Sequence, residues 1–164
     1  MSTFLLIISI LTAGCSAVQR RAYAGCPNGW TVYGQSCYIT GHTAVDFNNA
    51  VQFCQHYQAK LAEIESAAEN NFLRSYLEDF KVADYWIGLT DSVIDNEWRW
   101  YSDDSLVTFT DWHPTEPNNG KAHNCALIYG SGTYAHHWVD APCSGSWVPL
   151  CELPVSNGPQ EVVG

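Results

Sequence analysis

Between Asp91 and Glu116 the chain places seven acids, Asp91, Asp95, Glu97, Asp103, Asp104, Asp111 and Glu116, against one base, Arg99. This stretch therefore carries −6 of the formal net charge of −10. Carboxylates and amide carbonyls are hard oxygen donors, and a cation such as Ca²⁺ takes about six to eight of them. The run Glu116-Pro117-Asn118-Asn119 supplies both kinds, and Asp140 offers a further carboxylate beyond Cys125. A solvated acidic surface is the competing reading of the same composition. His113, His123, His136 and His137 fall in the same region. Imidazole suits Zn²⁺, Cu²⁺ or Ni²⁺ better than Ca²⁺. A metal other than calcium is one reading of these histidines, and surface or sugar-contacting side chains are the stronger one. Catalysis is not expected: there is no Gly-x-Ser-x-Gly elbow and no His-Glu-x-x-His. Paired acids in the loop suggest a glycosidase, but they are accounted for better as ion ligands. Nucleic acid is not an expected partner, because affinity for it comes mostly from Lys and Arg neutralising phosphates.

These side chains must be held by a single fold in an oxidising compartment. A chain of 164 residues is one domain's worth, and 46% hydrophobic residues with 13% aromatics are too many for disorder. Phe4 to Leu11 is a short apolar run followed by small residues through Ala17, which reads as a signal peptide, residues 1–17. The run is far below the ~20 residues a membrane span needs, so a secreted, extracellular protein is expected. Residues 18–25 read as a short lead, 26–153 as the domain, and 154–164 as a flexible tail. Removing Cys15 with the signal leaves Cys26, Cys37, Cys54, Cys125, Cys143 and Cys151. Six cysteines in a secreted chain imply three disulfides, and spacing leaves all ~15 connectivities open.

Local patterns supply the elements. Trp30–Tyr33 and Ser36–Ile39 flank Gly34-Gln35 and predict a hairpin. Phe47, Ala50, Val51, Cys54 and Tyr57 recur at three and four, one helical face, with a cap expected at Thr43. Ser66 and Glu69 have capping-box spacing ahead of the stripe Phe72, Leu73, Tyr76, Leu77 and Phe80. After these two helices come β-like runs at Tyr85–Leu89, Glu97–Tyr101, Cys125–Tyr129, His137–Val139 and Val148–Glu152. From Ser102 to Asn124 the chain is polar and turn-rich, and a loop of that length in a compact domain is usually functional. Helices followed by strands read as α+β.

Tyr85-Trp86-Ile87-Gly88-Leu89, Glu116-Pro117-Asn118, Cys125-Ala126-Leu127, Trp138-Val139-Asp140 and Pro149-Leu150-Cys151-Glu152 resemble, in order, the landmarks of the C-type lectin domain. The resemblance covers Cys26 to about Leu153. It implies the long form of that fold, α+β with two helices, antiparallel sheets and long binding loops. It also implies the pairs Cys26 to Cys37, Cys54 to Cys151 and Cys125 to Cys143. In that family a Ca²⁺ binds the sugar directly, and its ligands also hydrogen-bond the sugar hydroxyls. Glu116, Asn118 and Asp140 match three ligands of the principal site. Trp112 and Tyr134 are secondary candidates to stack on a sugar's apolar face, with a core position the stronger reading for a Trp in this domain. Glu-Pro-Asn, in which the family has a cis proline, resembles the mannose-type class rather than the Gln-Pro-Asp galactose type. Asp91, Asp95 and Asn119 match an auxiliary calcium site. Free-standing lectins of invertebrates with this layout serve as agglutinins in innate immunity, so glycans of microbial surfaces are the partners implied. A lone weak site needs multivalency, and with all mature cysteines used internally a non-covalent homo-oligomer is expected.

The chain departs from that pattern at two positions. His123 stands where the family has a Glu, and Val139 where it has an Asn. Losing a carboxylate and an amide lowers the charge and ligand count that set Ca²⁺ affinity, so weaker calcium binding is expected. Imidazole gains charge near pH 6.5, and His123 is expected to weaken ligand binding below that pH. A matrix, ice-binding or protein-binding module that keeps the fold without the sugar site is the alternative implied.

Overall fold

Val45 is tied into an isolated antiparallel bridge with Trp147, and only after it can the chain turn into the first helix. The structure, a computed structural model, describes residues 25–80, 84–118, 120–130 and 136–155. The signal peptide, most of the lead, Asn119, Tyr134 and the tail beyond residue 155 lie outside the described residues. Helix α1 (Phe47–His56) is capped by Asp46, whose carboxylate accepts from the Asn49 backbone N–H at 2.9 Å. The cap expected at Thr43 is therefore at Asp46, because Val45 exchanges backbone hydrogen bonds of 2.9 and 3.0 Å with Trp147 and cannot be helical. Phe47, Ala50, Val51 and Cys54 form the buried stripe.

Helix α2 (Ala67–Glu78) starts as its sequence predicts: Ser66 Oγ accepts from the Glu69 N–H at 3.2 Å. Glu69 reaches back to the N–H of Glu65, at 3.0 Å, rather than to that of Ser66. The helix buries Asn70, Leu73 and Leu77.

The strands are β1 (Thr31–Tyr33), β2 (Ser36–Thr40), β3 (Lys60–Leu61), β4 (Tyr85–Thr90), β5 (Arg99–Trp100), β6 (Cys125–Ile128), β7 (Trp138–Ala141) and β8 (Val148–Pro154). The expected hairpin is β1–β2, closed by Gly34 at φ +57°, a backbone that glycine adopts without a Cβ clash. Sheet order is β1-β2-β8-β4-β6-β7, with β3 on β8 and β5 on β4. The ladders are antiparallel except for β4 on β8, where Tyr85 faces Val148 in parallel register. The sheet is thus mixed: β8 comes back to the middle after a long excursion and enters beside β4 in the same direction. Strand β3, too short to show a period, is an addition to the sequence reading.

Strand β4 is buried along its whole length, which separates two cores. Tyr85, Ile87 and Leu89 join Leu73, Leu77, Trp100 and Trp138 on the α2 side. Trp86 joins Phe47, Val51 and Leu127 on the α1 side. The bridges are Cys26–Cys37, Cys54–Cys151 and Cys125–Cys143, the pairing the resemblance implied.

The long polar segment is anchored rather than loose. Buried Asn70 donates to Asp111 Oδ2 at 2.7 Å and accepts from Trp138 Nε1 at 3.0 Å. Backbone bonds Trp138 N to Asp111 O and His113 N to Trp138 O, each 2.9 Å, lay the segment along β7.

Candidate functional site

Strand β7 delivers Asp140 to the sheet surface with its side chain almost wholly buried. The anchored segment delivers Glu116-Pro117-Asn118 opposite it, through a cis Glu116–Pro117 bond, the proline geometry the resemblance implied. Asn118 then joins the two acids: its backbone N–H donates to Asp140 Oδ1 at 3.1 Å and its Nδ2 to Glu116 Oε1 at 2.9 Å. The same Nδ2 donates to the Thr115 carbonyl at 3.0 Å. Glu116, Tyr129, Val139 and Asp140 line a cavity of about 210 Å³.

Glu116 Oε2 is buried and receives no donor. Burial, then the neighbouring Asp140 carboxylate, push the Glu116 carboxyl up to about 7. Two facing acceptors with no donor for that oxygen are an arrangement that a shared proton or a cation relieves. The donor set of two carboxylates and one amide oxygen fits a hard cation such as Ca²⁺.

His123 follows a 3₁₀ turn, Gly120–Ala122, and its Nδ1 lies 3.1 Å from the Asp140 carbonyl and 3.7 Å from Asp140 Oδ2. It thus leans on Asp140, a candidate ligand, from the position where the resemblance places a carboxylate. Val139 is buried in the α1-side core and contributes only apolar wall.

A second cavity, of about 250 Å³, lies beside the first and is lined by Asp91, Ser92, Val93, Asp95, Lys121 and Asn124. Asp91 Oδ1 and Asn124 Oδ1 are buried there without a partner, while Asp91 Oδ2 accepts from the Asn96 N–H at 2.9 Å. Burial raises the Asp91 carboxyl above its usual range, the Asn96 bond opposes the rise, and Asp95 adds to it. Asp91 and Asp95 therefore line one cavity, whose two orphaned oxygens fit a cation. Asn119, the third residue expected here, lies outside the described residues. Lys121 and Asn124 were not anticipated from sequence. Asn124 carried a signal, an amide directly before Cys125 at the start of β6, whereas an exposed lysine carries none. Tyr129, in the wall of the first cavity, was also missed.

The four histidines do not share one site, although the His113 and His137 ring centres lie 6.0 Å apart. His113 Nδ1 lies 2.9 Å from Thr115 Oγ1, His137 Nδ1 3.4 Å from Asp111, and His136 Nε2 3.7 Å from Glu78. Among the described residues no group of three His, Cys, Asp or Glu side chains is arranged to hold a metal. A cation at either cavity would therefore need amide oxygens as well as acids. Trp112, a candidate sugar-stacking residue, instead packs on Trp98 and Trp138, with ring centres 4.7 and 5.9 Å away.

The sequence pattern of the Lectin C-type domain matches residues 43–153. Human C-type lectin domain family 17, member A is 35% identical over 127 residues, covering 77% of this chain and 32% of that protein. An alpha-N-acetylgalactosamine-specific lectin of Patiria pectinifera is 30% identical, over 96% of this chain and 100% of its own length. The chain spans 32%, 60% and 37% of the length of the first three curated relatives it matches. Among solved structures, the mouse scavenger receptor C-type lectin carbohydrate-recognition domain superposes with a TM-score of 0.73 at 29% identity, over 82% of this chain and 100% of that one. A calcium-independent type II antifreeze protein superposes with a TM-score of 0.69 at 29% identity, over 80% of this chain and 95% of that one. Among the described residues no helix is long and apolar enough to cross a membrane.

Proposed function

Because the chain belongs to the C-type lectin domain family, we propose that it is a secreted, calcium-dependent carbohydrate-binding protein acting through Glu116, Asn118 and Asp140. The observation that carries this reading is the Glu116 carboxylate, held by Asn118 against buried Asp140 with one oxygen lacking a donor. When bound, Ca²⁺ supplies a Lewis-acidic centre for a pair of sugar hydroxyl oxygens. Around it the carboxylates of Glu116 and Asp140 accept hydrogen bonds and the Asn118 amide donates. One set of residues thereby selects both ion and hydroxyl geometry. Val139 withholds one amide donor, so affinity for a single sugar is low, and non-covalent self-association would convert it to avidity. Agglutination of glycan-bearing microbial surfaces follows from that arrangement. Asp91 and Asp95 would hold a second ion that orders the loop.

Glu-Pro-Asn favours mannose-type sugars, whereas the Patiria relative is named for N-acetylgalactosamine. Calorimetric calcium titration with and without mannose or N-acetylgalactosamine, repeated on Glu116→Ala, tests the reading. Calcium heat and calcium-dependent mannose binding, both lost in Glu116→Ala, are expected. Absence of both overturns it. A second reading, a lectin-fold module of matrix, ice or protein that has lost sugar recognition, is favoured by His123 and Val139 and by likeness to the calcium-independent antifreeze protein.

A further inference from the structure

A third cavity, of about 160 Å³, sits between α1, β3 and the bend of β4, among residues the sugar site does not use. Val51, Ala59, Leu61 and Tyr101 give it apolar walls, and Glu63 and Lys60 give it charge. Gly88 shapes it: a Cβ there would stand 3.0 Å from the Leu61 carbonyl and 3.4 Å from Glu63 Cγ. Strand β4 can therefore approach the Leu61–Glu63 backbone, to which Gly88 N–H is bonded through Ala62 O at 2.8 Å.

Glu63 is only 4% exposed, and its Oε1 is buried without a hydrogen-bond partner. Its other oxygen pairs with Lys60 Nζ. Lys60 is also shared with Glu152, whose Oε2 is 4.0 Å from Nζ and accepts the Glu63 backbone N–H at 3.1 Å. Glu152 Oε1 is taken by the Ser36 hydroxyl at 2.7 Å. One ammonium thus serves two buried carboxylates, and the acceptor left free is Glu63 Oε1. An unpaired buried acceptor is costly, and a donor that brings positive charge relieves it best.

The geometry points to a binding site for a small organic cation, a primary ammonium on a short apolar stem. Its ammonium donates to the Glu63 carboxylate, and its stem lies between Val51, Leu61 and the Tyr101 ring. The volume sets the size: at about 30 Å³ per water-sized group the cavity holds about five such groups. A free amine of that length fits, and a bulky sugar does not. The half-exposed Tyr101 ring also offers a face to a cation.

The test uses n-butylammonium chloride as probe, with n-butanol as its neutral isostere and sodium chloride at matched ionic strength, followed by amide chemical shifts of the whole domain. Saturable shifts at Leu61, Gly88 and Ser102 are expected with butylammonium, at least about tenfold tighter than with butanol, the factor expected for an added charge-assisted hydrogen bond. Glu63→Gln should abolish that preference. Gln55→Trp, a change at an exposed position on the cavity mouth, should block the shifts and keeps the test alive if Glu63→Gln fails to fold. Non-saturating shifts, equal affinity for butanol, or undiminished binding in Gln55→Trp overturn the proposal. Glu116→Ala should leave the shifts unchanged, so failure here and failure of the sugar reading are distinguishable.

Discussion

Glu116 concentrates the residue-scale consequences. Its carboxyl lies at about 7 against a usual 4.5, so between those values the folded chain holds a proton that the unfolded chain lacks. Stability then falls as pH rises through this window, the sign set by more protons bound in the native state. In chelator, the thermal midpoint should drop between pH 5 and pH 7.5, and Glu116→Gln should flatten that drop. Added calcium should raise the midpoint most at the high-pH end, where the site is ionised; calorimetric scans in both buffers check the pair of outcomes. His123 makes the complementary prediction. Its imidazole leans on Asp140 without supplying a carboxylate. His123→Glu should raise calcium affinity by on the order of tenfold, since ligand charge sets that affinity; titration calorimetry reads it, and an unchanged affinity would place the ion elsewhere.

Single elements position these residues through a few bonds each. Ser66 starts α2 by accepting from Glu69 N–H, so Ser66→Ala should cost about 1 kcal/mol in urea unfolding without touching the sugar site. Asn70, on the buried face of the same helix, has a wider reach. It holds Asp111, on the segment that leads to Glu116, and the Trp138 indole, two residues before Asp140 on β7. Asn70→Ala leaves the buried Trp138 indole N–H unpaired, at about 1–3 kcal/mol, and loosens Asp111, which keeps only Arg74 Nη1 at 3.3 Å on Oδ2. It should lower both the unfolding midpoint and calcium-dependent sugar affinity, whereas Ser66→Ala should lower only the first. The contrast separates a residue that stabilises from one that also positions the site.

At the scale of the whole molecule the disulfides rank by the loops they close. Cys54–Cys151 spans 97 residues and joins α1 to β8, whereas Cys26–Cys37 spans 11 within the first hairpin. On loop-closure entropy the long bridge contributes about 4.7 kcal/mol and the short one about 3. Replacing each pair by Ala should therefore give a larger fall in unfolding free energy for the long bridge, as denaturant titration would show. Cys125–Cys143 ties β6, which begins one residue after Asn124, to the chain leaving β7. Its removal should weaken calcium binding more than its loop length alone suggests.

Sequence by itself determined what repeats or what is local. The helical stripes, the Ser66 cap, the Gly34 hairpin and the acid-rich stretch each rest on neighbours within a few residues. The order of family landmarks then fixed the disulfide pairing and named Glu116, Asn118 and Asp140. Tertiary structure alone decided the start of α1, because the competing partner of Val45 is Trp147, far along the chain. The two-residue β3 was hidden for the same reason, since its pairing partner is β8. The orphaned oxygens of Glu116, Asp91 and Glu63 were equally illegible: whether a carboxylate has a donor depends on which distant backbone the fold packs beside it. Composition placed the charge of the chain near the site, and packing decided which of those charges were left without a partner.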